Sequence, residues 1–151
     1  MIDATDREII KHLQTDGRMP YSQLGQLIGL SDAATRQRVN RLTERGVIDI
    51  VAVTDPSTLG LAIQAMLGVT ITTDARKVAA ELGAYDEVVY LVMTSGRYDL
   101  LVEIVVAEGE AFLDLLGQIR ATAGVSAVES LRYLGITKQT YDWGVGDGGP
   151  A

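Results

Sequence analysis

The stretch SQLGQLIGLSDAATRQRVNRLTERG, residues 22–46, decides the N-terminal fold. Ser22 is placed to cap a short helix that turns Leu24, Leu27 and Ile28 inward. Gly29 ends it, because a residue without a Cβ enters the left-handed backbone region cheaply. Ser31 caps a further helix running to about Arg45, which Gly46 closes. Two helices separated only by Gly29-Leu30-Ser31 form the helix-turn-helix pattern. Upstream, Thr5 and Glu8 have capping-box spacing, Ile9, Ile10 and Leu13 share a face, and Gly17 is the expected C-cap.

The last of these helices divides into faces. At about 100° per residue, Thr35, Val39 and Leu42 lie together and face the other two helices. Ala33, Gln37, Asn40 and Glu44 lie opposite, with Arg41 close by, while Arg36 and Arg38 border the apolar stripe. Gln37, Asn40 and Arg41 are the side chains suited to base edges, and Arg36, Arg38 and Arg45 are suited to phosphates. Ala33 and Ala34 allow close approach to a groove floor, and the N–H groups from Ser31 to Ala34 form an expected phosphate contact. An ordinary amphipathic helix with a solvated charged face has the same spacing, so spacing alone leaves DNA binding and the bland reading open.

Charge favours the former. Residues 1–46 carry seven basic and six acidic side chains; the remainder carries six basic and fourteen acidic ones, within an overall charge of −7. Four arginines fall in residues 36–45, so one part of an acidic chain is built for a polyanion.

Beyond Gly46 the period changes. Residues 47–53 alternate as a strand, and Asp55-Pro56 opens an expected hinge at 55–60. Strands are expected at 61–71, 88–94, 98–106 and 125–137. Helical stripes at Ala75, Val78, Ala79 and Leu82, and at Phe112, Leu115, Leu116 and Ile119, fall between them. The order β-α-β-β-α-β predicts an α+β chain whose C-terminal part is ferredoxin-like, with two helices on one face of a four-stranded antiparallel sheet. The other face is expected to pack on another copy. The expected division is 1–54 for the DNA-binding part, 55–60 for the hinge, 61–137 for the sheet domain and 138–151 for a C-terminal tail, flexible from Gly144 on, in which Tyr141 and Trp143 are partly exposed.

These residues together resemble the Lrp/AsnC (feast/famine) family of transcription regulators. The resemblance rests on Asp6-Arg7-Glu8-Ile9-Ile10, Leu13, Asp16-Gly17-Arg18, Leu24-Gly25, Ile28-Gly29-Leu30-Ser31, Arg38-Val39, Arg41-Leu42, Gly46-Val47-Ile48, Asp55-Pro56 and the turn Ser95-Gly96-Arg97-Tyr98-Asp99. It implies a winged helix-turn-helix on a dimerising ferredoxin-like sandwich, homodimers that assemble further, such as to octamers, and an amino acid or related metabolite as effector. It places the effector at Ser95, Gly96 and Asp99, with Arg97 and Tyr98 beside them. The chain departs from the family pattern at Ile50-Val51, where a Gly-aromatic pair is common, and at Arg97, where an acidic or neutral residue is common. Chemically, Arg97 suits a carboxylate and Asp99 an ammonium, while a simple strand-connecting turn with a local Arg97–Asp99 pair is the plain alternative.

Other chemistry is set aside. There is no cysteine, and the single histidine, His12, sits on a helix beside Leu13 without a thiol nearby, so neither a metal site nor a catalytic base is expected. Glu108 and Glu110 open a helix and read as N-terminal charges rather than a catalytic pair. Gly144-x-Gly146-x-Gly148 joins no strand to a helix, so it is no phosphate loop. The start has no signal-peptide pattern, and the uncharged run from Pro56 to Thr73 is too polar for a membrane span. The expectation is a cytoplasmic, non-enzymatic, sequence-specific regulator that binds double-stranded DNA without a cofactor; an architectural DNA-organising protein without an effector is the alternative.

Overall fold

The computed structural model describes residues 2–141 and 144–145. Trp143 and the part of the expected tail at 146–151 lie outside the described residues. The chain divides into two compact units, Met1–Val53 with Lys138–Ala151, and Thr54–Thr137.

Among its described residues the first unit holds three helices: α1 (Ala4–Thr15), α2 (Tyr21–Ile28) and α3 (Asp32–Glu44). Ile9, Leu13, Leu24, Val39 and Leu42 form its core. Each such side chain, once buried, contributes about 1.5–3 kcal/mol. α3 closes with paired bonds from the Gly46 N–H to the Thr43 carbonyl and from the Val47 N–H to the Leu42 carbonyl, with Gly46 at φ 63°. That is the Schellman arrangement glycine permits. Gly29 ends α2 at φ 73°, as its position predicts.

Three helix ends differ from expectation. α1 is capped by Asp3, with Asp6 reciprocating, rather than by Thr5 and Glu8: the same spacing, two residues earlier. α2 starts at Tyr21 behind Pro20, whose φ of −58° already suits a helix entry, so Ser22 falls inside the helix. Asp16, not Gly17, ends α1; its side chain accepts from the Arg18 N–H in a local turn. Residues 47–53 carry no strand. A strand needs a ladder partner, and among the described residues the segment has none, leaving Ile50, Val51 and Val53 exposed.

The second unit opens with a 3-10 turn, Pro56–Leu59, capped by the Asp55 side chain, within the expected hinge. Then follow β1 (Ile63–Ile71), α4 (Ala75–Leu82), β2 (Val88–Met93), β3 (Leu100–Val106), α5 (Gly109–Ala121) and β4 (Val125–Arg132). The sheet order is β2-β3-β1-β4, with every pairing antiparallel. Alternate residues of β1 (Ile63, Ala65, Leu67, Val69) and β3 (Leu100, Val102, Ile104, Val106) point into one core with Val78, Leu82, Leu115, Leu116 and Ile119 of the helices. This is the expected βαββαβ arrangement, though β4 stops at Arg132, short of Thr137.

Tyr133 continues β4 by donating its N–H to the Gln64 carbonyl. Burial, and then a hydrogen bond to Glu103, push its phenol up to about 12. The folded state therefore holds this proton where an unfolded tyrosine, near 10, has lost it. That stability is complete below pH 10 and is lost as pH rises toward about 12. Urea midpoints measured from pH 9 to 12 are expected to fall across this window and to fall less in Tyr133→Phe.

Candidate nucleic-acid interface and effector turn

α2 and α3 approach closely because position 25 has no side chain. A Cβ on Gly25 meets the Leu30 carbonyl oxygen at 2.6 Å and Thr35 Oγ1 at 2.9 Å. Gly25 also accepts the Leu30 N–H at 2.8 Å, which closes the turn between the helices. With Thr35, Val39 and Leu42 buried, α3 turns Ala33, Gln37, Asn40, Arg41 and Glu44 to solvent. Ala34 and Arg38 are partly buried, and Ser31 and Arg45 are exposed at the two ends.

Not every expected contact is available as read. Ser31 Oγ accepts the Ala34 N–H at 3.3 Å, so that N–H is spent on the helix cap. Asp32 stands in the first turn and pairs with Arg36 at 3.6 Å, while the Arg36 guanidinium also lies 5.1 Å from the Tyr21 ring centre. Arg36 is thus braced against α2, at the border where a phosphate contact was expected.

Arg38 and Arg41 meet an acid that sequence reasoning did not single out. Asp6, on α1, is 1% exposed, and its carboxylate accepts from Arg38 Nη1 at 2.7 Å and from Arg41 Nη2 at 3.1 and 3.2 Å. It also accepts the Asp3 N–H at 3.2 Å. Asp3 accepts from Arg38 at 2.7 Å. That hydrogen bond first, and the Asp6 N–H second, hold the Asp3 carboxyl below the usual carboxylate range. The same bond to Asp3, followed by that to Asp6, raises Arg38. The signal for Asp6 was its place one turn before Ile9 on the stripe that continues to Leu13: a charge in line with a core face needs a partner.

In the second unit, Ser95 to Asp99 join β2 to β3. Ser95, Gly96 and Arg97 are exposed, and a Cβ on Gly96 meets nothing within 4 Å. The turn is closed by the Thr94 N–H to the Asp99 carbonyl at 2.9 Å and by Thr94 Oγ1 to the Tyr98 carbonyl at 2.6 Å. Asp99 stitches it to β1: its N–H donates to the Val69 carbonyl at 2.9 Å, and its carboxylate accepts the Ile71 N–H at 2.7 Å. Arg97 reaches Glu129 of β4 at 2.9 Å rather than Asp99, and lies 5.3 Å from the Tyr98 ring centre. The Tyr98 hydroxyl also donates to Glu129, and this bond raises its phenol above the ordinary value. Glu129 became visible as a partner only once β4 was placed beside β1.

The two units match two family models: an AsnC-type helix-turn-helix domain over residues 2–43, and an Lrp/AsnC ligand binding domain over residues 64–143. The chain belongs to the Lrp/AsnC family. Among its Lrp/AsnC relatives, HTH-type transcriptional regulator FL11 of Pyrococcus horikoshii is 34% identical over 136 residues, covering 87% of this chain and 90% of that one. A feast or famine regulatory protein from M. tuberculosis, solved in complex with L-methionine, is 30% identical with a TM-score of 0.84, covering 94% and 98% of the two chains. A transcriptional regulator from Neisseria meningitidis, also solved with L-Met, is 27% identical with a TM-score of 0.81, covering 93% and 95%. As an Lrp/AsnC protein the chain is a transcriptional regulator with a helix-turn-helix DNA-binding part and a ligand-binding part. Among the described residues no helix is long and apolar enough to cross a membrane.

Proposed function

We propose that this regulator reads a specific double-stranded DNA sequence through α3, and that an amino acid or related small metabolite, bound at Ser95 to Asp99, changes its DNA affinity or its assembly. The observation that carries the first half is the exposed row Gln37, Asn40 and Arg41, which can reach base edges, flanked by Arg36, Arg38 and Arg45 for the backbone. Ser31, Ala33 and Ala34 bring the helix start close to the groove. The second half is supported by the exposed Ser95-Gly96-Arg97 edge and by the relatives solved with L-methionine. The protein acts as a cytoplasmic binder, not an enzyme.

The uncovered sheet face supports a homodimer. Met66, Tyr90, Leu101, Val105 and Leu131 alternate away from the helices on all four strands, with Tyr90 and Leu131 exposed. Such an apolar sheet face is stabilised by a second copy. Higher assembly, and flexing at residues 55–60, provide the route by which an effector alters the spacing of paired α3 helices.

Mobility shifts on a duplex from upstream of its own gene, with and without each of the twenty amino acids, test this reading. A retarded complex at low salt, altered by at least one amino acid, is the expected result; no complex in any condition sinks it. Thermal shifts that stay flat across the amino-acid panel favour the architectural alternative instead. Asn40→Ala is expected to lower affinity for a selected site about tenfold while leaving binding to scrambled duplex unchanged, as measured by fluorescence anisotropy.

A further inference from the structure

We infer that Asp6 is a positioning residue for base reading: from α1 it holds Arg41 of α3, with Arg38 beside it, in one orientation, so that Arg41 meets base edges as an aimed donor rather than as a mobile cation. This rests on the duplex-reading role proposed above for α3.

The geometry is specific. Asp6 is buried, yet each of its carboxylate oxygens faces a guanidinium, and Arg41 spans both. A buried carboxylate of this kind is tolerated because its hydrogen bonds are satisfied. Arg41 commits Nη2 to Asp6 and keeps its side chain 48% exposed beside Gln37, Asn40 and Glu44. One edge of its planar fork is thus anchored and the other edges are presented. Arg38 is more deeply held, 28% exposed, and shared between Asp6 and Asp3. Fixing a guanidinium removes side-chain freedom before the duplex arrives, which favours directional contacts. The same pairing offsets positive charge on the face that meets DNA, which weakens attachment to arbitrary phosphates. Asp6 therefore trades general affinity for discrimination.

The test uses the full chain. A duplex site is selected from a random pool by the wild-type protein, and affinities for it and for a scrambled duplex of equal composition are measured over a range of salt. In Asp6→Asn, discrimination between the two is expected to fall about tenfold, and the slope of log affinity against log salt is expected to steepen by about 1–2 as released arginines find phosphates. In the Arg41→Ala background, Asp6→Asn is expected to cost little further discrimination, since the two act as one unit. A purely structural role for Asp6 lowers the melting temperature but leaves both the affinity ratio and the salt slope of the folded protein in place; that result overturns the proposal. Arg41→Lys gives a second reading that keeps the charge and the buried acid: discrimination is expected to fall with the salt slope unchanged, and full discrimination by Arg41→Lys counts against the proposal equally. Failure of the wild-type protein to enrich any site removes the duplex-reading role, and this inference with it; wild-type selection matched by Asp6→Asn removes the inference alone.

Discussion

Gly25→Ala is expected to weaken DNA binding sharply and to strip the helix-turn-helix of most of its stability while the sheet unit is untouched. The added methyl lands 2.6 Å from the Leu30 carbonyl oxygen and 2.9 Å from Thr35 Oγ1. The first is backbone, tied into the α2–α3 turn by the bond from the Leu30 N–H to the Gly25 carbonyl, so it cannot swing away. The second belongs to a fully buried side chain whose hydroxyl already donates to the Ser31 carbonyl at 2.9 Å. Either α3 moves outward, opening the core at Val39 and Leu42, or the turn breaks. Overpacking of this kind costs about 3 kcal/mol. A unit this small holds only on the order of 3–8 kcal/mol in all. Amide hydrogen exchange read by mass spectrometry is expected to show protection lowered about a hundredfold across residues 2–53 and kept across 54–137, with a weaker retarded complex in a mobility shift. Thr35→Ala added to Gly25→Ala is expected to restore little, because the carbonyl contact remains. Wild-type protection in the single variant defeats this account of the close approach.

The faces of α3 and the order of the sheet unit were legible because both follow from period alone. Thr35, Val39 and Leu42 are buried as their spacing requires, β3 alternates along its whole length, and β1 alternates from Ile63 to Leu67 before Gly68 breaks the pattern. The start of α1 was misplaced because Asp3 and Thr5 both offer a capping side chain, and the start of α2 because Pro20 opens that helix ahead of Ser22 without any side-chain cap. Residues 47–53 have the composition of a strand but no ladder partner among the described residues, and pairing is not a local property. The site residues divide in the same way. Exposure of Gln37 and Asn40 follows from helix geometry. The capture of Arg38 and Arg41 by Asp6, and of Arg97 and Tyr98 by Glu129, does not, since each pair is about thirty residues apart and meets only through tertiary packing. Asp99 shows a further limit: an acid suited to an ammonium by type also holds the Ile71 N–H in place.

Gly68→Ala is expected to evict Tyr98 and with it the order of the proposed effector turn. Position 68 lies on β1 between Leu101 of β3 and Glu129 of β4, and the Tyr98 ring lies directly over it. An aromatic ring across a sheet glycine replaces the packing the glycine lacks. A Cβ there sits 2.6–2.7 Å from three ring carbons, so the ring must leave. Leaving breaks the hydroxyl bond to Glu129 and removes the surface on which Arg97 lies. Glu129 retains Arg97 as an exposed pair, which is worth little in water. The expected cost is about 2 kcal/mol in urea unfolding, together with loss of any melting-point rise given by an effector amino acid in the wild-type protein. The decisive measurement is the double variant. With Tyr98→Ala the obstruction is gone, so adding Gly68→Ala is expected to cost close to nothing, a coupling of about 2 kcal/mol between the two positions. Additive losses mean that the ring does not occupy the space above Gly68. Because Tyr98 and Arg97 share one acceptor across the β1–β4 pair, the proposed effector turn is set by the sheet beneath it. A ligand that draws either side chain toward itself is therefore felt on β4 as well as at the turn.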